Sequence, residues 1–278
     1  MELSLPRAAA RRARWDRGRW ETFWLLLLAL PMLFFLVWPL VALVARIPPL
    51  SLIENLGNPE VIQAISLSLT TTAISTSAAL VFGTPLAYLL ARRNFRGRAV
   101  IDTLIDLPMV LPPSVAGIAL LIAFGRRSLL GGALSDLGLS LAFTTAAVVM
   151  AQIFVAAPFY IKAAIAGFAG VDRDLEQAAA IDGANAWRIF RHITVPLAWP
   201  VLLGGAVMTW ARALGEFGAT IIFAGNFPGR TQTMPLAIYI GLELELTVAL
   251  TLSAILLATS FLVLFVVKGL LRQRVSVL

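Results

Sequence analysis

Residues 171–196, VDRDLEQAAAIDGANAWRIFRHITVP, form the longest polar interruption in a chain that is otherwise built of apolar runs. Asp174 reads as a helix N-cap, with Gln177 three residues on to close a capping box. Ala178, Ala179 and Ala180 then give a helix face of so little bulk that another protein can approach its backbone. Gly183 suits the left-handed position that ends a helix, and Asn185 suits the cap of a second one. In that second helix Trp187, Phe190 and Ile193 share one side, while Arg188, Arg191 and His192 point elsewhere. Pro196 is expected to end it, and a new apolar run begins at Leu197. The stretch therefore reads as a helical knuckle pinned between two membrane spans and offered to a partner.

The surrounding composition requires those spans. Of 278 residues, 59% are hydrophobic and 13% charged, and several runs exceed the roughly 18–20 apolar residues that cross a bilayer. The fold class expected is an all-α integral membrane protein. The chain has no cysteine and one histidine, which excludes disulfides and a His/Cys metal site.

Six spans are expected: Phe23–Ala45, Val61–Leu90, Leu104–Phe124, Leu139–Ile161, Leu197–Ala224 and Thr247–Val267. The first is too long for a signal-peptide core, and it lacks a convincing cleavage site. Residues 1–22 read as a basic cytoplasmic tail and 23–275 as a single transmembrane domain. The hydroxyl-rich second span reads as helix packing in preference to a hydroxyl-lined path. In the third span Pro112 and Pro113, followed by Ser114, remove two backbone donors, so the helix must break or bend. Broken backbone at membrane depth is tolerated only against protein or water, which places this segment inside the bundle; a simple structural kink is the alternative. An even number of crossings leaves both termini on one side. Of the 22 Lys and Arg, seventeen fall there and four on the other side, so that side, with the knuckle, is expected to be cytoplasmic.

Few residues look like chemistry. Arg212 and Glu216 lie four apart inside the fifth span, where ionisable groups face the bundle interior or an aqueous path. The pair is either part of a gate in the outer half or an internal ion pair that neutralises itself. No nucleophile, base or metal set converges. The two lysines, Lys162 and Lys268, follow no glycine-rich phosphate loop. Any ATPase must therefore be a separate chain. The basic knuckle is tied into lipid at both ends, which argues against nucleic acid.

The knuckle also resembles a known motif. Glu176, Gln177, Ala178, Ala179, Gly183, Ile193, Val195 and Pro196 are similar to the EAA loop of ABC-importer permeases. Gln177 stands where that family has Glu, and Val195 where it has Leu. The stretches 111–117, 211–220 and 225–235 resemble the molybdate permease subunits within the sulfate/molybdate/tungstate branch, and the likeness covers most of residues 60–270. This resemblance implies a type I ABC-importer permease fold in the cell inner membrane, and a homodimer of such chains. Two cytoplasmic ATPase subunits, which bind ATP and Mg, and a periplasmic or lipid-anchored oxyanion-binding protein are implied with it. Glu176, Gln177, Ala178, Ala179, Gly183, Trp187 and Pro196 would couple to the ATPase. Pro112, Pro113, Ser114, Arg212 and Glu216 are the pathway and gate candidates. Sulfate permease, and a membrane scaffold without its own conduit, are the alternative readings.

Overall fold

The computed structural model describes residues 7–138 and 140–275, so Leu139, the expected start of the fourth span, and residues 1–6 of the basic tail lie outside the described residues. The chain forms two compact units that divide between Pro48 and Pro49. The first is one helix, α1 (Arg7–Ala45), which keeps Pro31 and Pro39 inside it. Its part from Thr22 to Ala45 is long and apolar enough to cross a membrane.

Among the described residues of the second unit the regular elements are all helices. The unit opens with α2 (Pro49–Leu56) and α3 (Pro59–Arg92). Asn58 caps α3 by accepting from the Glu60 N–H, and Pro59 sits in the first turn, where a missing N–H costs nothing. Next come α4 (Arg98–Val110), α5 (Pro113–Phe124), α6 (Leu129–Asp136) and α7 (Thr145–Ala169). The knuckle supplies α8 (Arg173–Ile181) and α9 (Ala186–Ile189), and a π turn, Phe190–Thr194, leads into α10 (Val195–Leu214). The chain finishes with α11 (Gly218–Phe223), α12 (Met234–Leu244) and α13 (Leu246–Val275).

Side-chain bonds establish the directions. Ser75 donates to Gln152 at 2.9 Å, the Thr84 and Tyr160 hydroxyls meet at 2.6 Å, and Arg92 donates to the Val171 carbonyl at 3.1 Å. Position advances on α3 and α7 together, so these helices are parallel. The chain between them must return across the bundle, and α4 with α5 makes that return. The two are bent by 116° at the Pro112–Pro113 break, so the proline pair breaks the helix outright. Among the described residues five helices are long and apolar enough to cross a membrane, and counting the bent pair as one span makes six. Helix α10 runs back against α7. A Cβ at Gly205 would fall 2.6 Å from Ala163 Cβ, and one at Gly167 would fall 3.2 Å from Val201. Without a hydrophobic drive between helices in lipid, such close approach supplies the contact energy.

The hydroxyls of α3 serve this packing. Gln152, 1% exposed, donates to Thr71 at 3.1 Å, and Ser68 accepts from the Met234 N–H at 2.7 Å. An ion pair ties α4 to α7: Lys162 reaches Asp102 at 2.7 Å and Asp106 at 2.9 Å. These two carboxylates, which at sequence level suit a helix N-terminus, instead neutralise a lysine one helix away.

Several sequence boundaries are corrected. The fourth span is Thr145–Ala169, because Thr144 caps it by accepting from the Ala147 N–H. The fifth does not run to Ala224 as one helix but stops at Leu214 and resumes at Gly218. Pro196 does not end the second knuckle helix. In the π turn the Val195 N–H reaches back to the Phe190 carbonyl, and this widened turn admits Pro196, with its missing donor, into a helix that continues to Leu214.

Candidate functional site

The knuckle folds as two short helices around one glycine. Asp172, not Asp174, is the N-cap of α8, and it accepts from the Asp174 N–H at 2.9 Å. The helix starts two residues earlier than a cap at 174 requires, which leaves Gln177 outside any capping box. Gly183 ends the turn at φ +86°, a region costly for other residues. Asn185 caps α9 by accepting from the Arg188 N–H at 2.9 Å. Gln177, Ala178, Gly183, Trp187 and Pro196 are exposed and Ala179 is half-buried. Leu175, Ile181 and Trp187 add exposed apolar surface, Ile181 at 85%.

Glu176 differs from its neighbours. It turns inward, accepts from Arg92 at 2.8 Å and from the Thr194 hydroxyl at 2.6 Å, while the same Arg92 holds the Val171 carbonyl. The Arg92 side chain is only 8% exposed, so the pair is shielded and charge-assisted. The clamp ties α8 to the end of α3 and to the π turn that begins α10. A push on α8 therefore reaches two crossing helices directly. Sequence reading missed Arg92 and Thr194, because their partners lie 84 and 18 residues away.

The pathway candidates form a second cluster, built from two helix breaks. Pro112, Pro113 and Ser114 are exposed, and no side chain caps α5. A Cβ on Gly218 would lie 2.7 Å from Pro113 Cβ, so the first turn of α11 packs on the first turn of α5. Gly117 lies equally tight against Ala219 and Ile222. Two residues before Gly218, Glu216 is 1% exposed. Its Oε1 accepts from the Ala219 N–H at 2.8 Å, and its Oε2 lies 2.8 Å from Arg212 Nη1 without hydrogen-bond alignment. Glu216 thus stands just beyond the end of α10 and holds the break closed, while Arg212 is partly exposed. The structure brings all five pathway candidates to the neighbourhood of this double break.

Residues 83–277 match the model of binding-protein-dependent transport system inner membrane components. The chain belongs to that family. The permease is also similar to a putative molybdenum transport system permease protein of Bacillus subtilis, at 40% identity over 77% of this chain and 96% of that one. It is 41% identical to the molybdenum transport system permease protein ModB of Mycobacterium tuberculosis, covering 86% of this chain and 91% of the relative. Among solved structures, a bacterial ABC transporter that imports alginate aligns with a TM-score of 0.72 at 18% identity, over 94% and 99% of the two chains. The MetNI methionine ABC transporter aligns at 0.60 and 19% identity, over 77% and 95%. At such identities these two show the fold, that of ABC-importer permeases.

Two further features of the permease escaped sequence reading. Gly117 and Gly218 pass for ordinary small residues until the opposing backbone is known. The loop after α11 is only partly a surface loop: Phe227 to Arg230 are exposed, but Thr231 and Thr233 are buried, and Thr145 donates to the Arg230 carbonyl at 2.9 Å. Among the described residues no group of three or more His, Asp or Glu is placed to hold a metal ion.

Proposed function

We propose that this permease is the membrane subunit of an ATP-driven importer of molybdate, carrying tungstate as well, from an external binding protein to the cytoplasm. Two copies form the conduit, a separate ATPase pair binds ATP and Mg, and the knuckle docks on that pair. Both termini and the knuckle face the cytoplasm, on the strength of the distribution of Lys and Arg. The substrate is carried over from the molybdenum transport of the relatives, to which a third adds tungstate: a molybdate/tungstate transport system permease protein of Thermococcus kodakarensis, 42% identical over 66% of this chain and 68% of its own length.

The observation that carries the conduit is the exposed break at Pro112–Pro113, in mid-crossing and packed on a second break beside the Arg212–Glu216 pair. Lipid does not tolerate bare irregular backbone, so a second protein surface or a water-filled passage must cover it. An anion there meets the open backbone N–H groups at the start of α5 and the Arg212 guanidinium, both favourable to negative charge. Such a passage has to release its cargo, so the permease itself binds weakly and the binding protein sets selectivity.

The test is ATP-driven uptake into vesicles that hold the full complex, with each anion preloaded on the binding protein. Molybdate and tungstate should enter at similar rates, and the smaller sulfate more slowly. Sulfate uptake at or above the molybdate rate would move the chain to sulfate transport. Assembly with the ATPase but no uptake of any oxyanion would leave it a scaffold.

Docking has its own test. Gly183→Val places a β-branched residue at φ +86°, a strain of about 1–2 kcal/mol. No neighbour lies within 4 Å of a Cβ there, so the damage stays in the loop. Membrane insertion should be normal, while ATPase recovered with the purified permease and ATP-driven uptake both fall. Unchanged recovery and uptake would remove the knuckle from the docking site.

A further inference from the structure

Two clefts meet on α3 at Tyr88 and Arg93. One is an apolar slot of about 910 Å³ whose walls include Val81, Pro85 and Leu89 of α3, with Trp187 and Phe190 opposite. The other is a basic pocket of about 270 Å³, lined by Arg92, Arg93, Arg173, Glu176 and Gln177 together with Tyr88. Arg92 and Glu176 are spent on each other. Arg93 and Arg173 are exposed, and among the described residues neither side chain has a partner.

The dimensions and charges suit one kind of molecule. Residues 81, 85, 89 and 93 stand one turn apart in a line, and twelve residues of helix measure about 18 Å. That is close to half of the roughly 30 Å hydrocarbon thickness of a bilayer. The line ends at Arg93, in the basic turn that also holds Arg96 and Arg98, where anionic headgroups of the cytoplasmic leaflet gather. Trp187, 64% exposed and stacked on Phe190, has the place of an interfacial aromatic. A water-soluble partner reaches the basic pocket but not a slot that descends along a crossing helix.

We propose that this double cleft binds an anionic phospholipid, with its phosphate between Arg93 and Arg173 and one acyl chain along Val81, Pro85 and Leu89. Bound there, the lipid touches both α3 and the start of the α9–α10 helix, next to the Arg92–Glu176 clamp.

The full-length permease is placed in nanodiscs of mixed phosphatidylcholine and phosphatidylglycerol, and retained lipid is counted by native mass spectrometry. The native chain should keep phosphatidylglycerol in preference to phosphatidylcholine. Arg93→Gln and Arg173→Gln should each lower that preference about fivefold, the effect of one basic side chain at an anionic surface. Val81→Trp, at a position 65% exposed and so tolerant of bulk, should lower retention of both lipids. Phe82→Trp, one residue round the helix and outside the slot, should change neither. Three results would overturn the proposal: unchanged preference in the Arg93→Gln/Arg173→Gln protein, displacement of phosphatidylglycerol by inorganic phosphate alone, or a cross-link from Val81→Cys to a second copy that excludes lipid.

Discussion

Replacing Glu216 with alanine is expected to remove most of the folded permease from the membrane. The carboxylate is 1% exposed and does two things: it accepts from the Ala219 N–H and faces Arg212 at 2.8 Å. Alanine leaves a backbone donor and a guanidinium without a partner in a site of low dielectric. Breaking a buried pair on one side costs about 3–5 kcal/mol, and the lower end applies because Arg212 is partly exposed. Glu216→Gln separates the two duties, since its amide oxygen still accepts from Ala219 while the charge is gone. If the pair only neutralises itself, Glu216→Gln lowers yield and thermal stability in proportion, and Arg212→Gln in the same chain restores part of both. If the pair gates the conduit, Glu216→Gln keeps its yield and changes molybdate uptake. Yield, unfolding temperature and uptake measured on one set of preparations decide between them.

Gly117→Val should abolish uptake even where protein is recovered. A Cβ at Gly117 would meet the Ala219 carbonyl oxygen and Ile222 Cβ, both at 2.9 Å, and Ala219 Cα at 3.0 Å. Two of these three atoms are backbone, so neither can rotate away, and α5 and α11 must separate. Overpacking of this kind costs about 1–3 kcal/mol, and it displaces the helix break that the proposed conduit depends on. Gly117→Ala should be intermediate in thermal stability and uptake. Gly204→Ala is the matching control, because nothing lies within 4 Å of a Cβ there. Equal uptake by the Gly117→Val and native proteins would mean that the α5–α11 contact has no part in transport.

Much of this molecule is legible without its structure, and the reason is the solvent. A bilayer demands about 20 apolar residues per crossing and places Lys and Arg on one side, so crossing number and expected orientation follow from composition along the chain. Local backbone rules reach further still. Two adjacent prolines cannot sit in an unbroken helix, and Gly183 and Asn185 mark a helix stop and a helix start within three residues; the structure shows all three. The knuckle's glycine turn and its second cap are readable because their signals are short-range.

What the sequence alone could not decide depends on partners distant along the chain. Pro196 is a local stop signal, yet the π turn from Phe190 to Thr194 absorbs it and the helix continues. Glu176 reads as surface until Arg92 and Thr194 are brought to it. Asp102 and Asp106 read as helix-terminus charges until Lys162 is set between them. Gly117 and Gly218 acquire their meaning only when α5 and α11 lie against each other. In each case a residue's own preference is worth about a kilocalorie or less. Burying a charge or closing two backbones to contact is worth several, so the packing decides which local preference is kept.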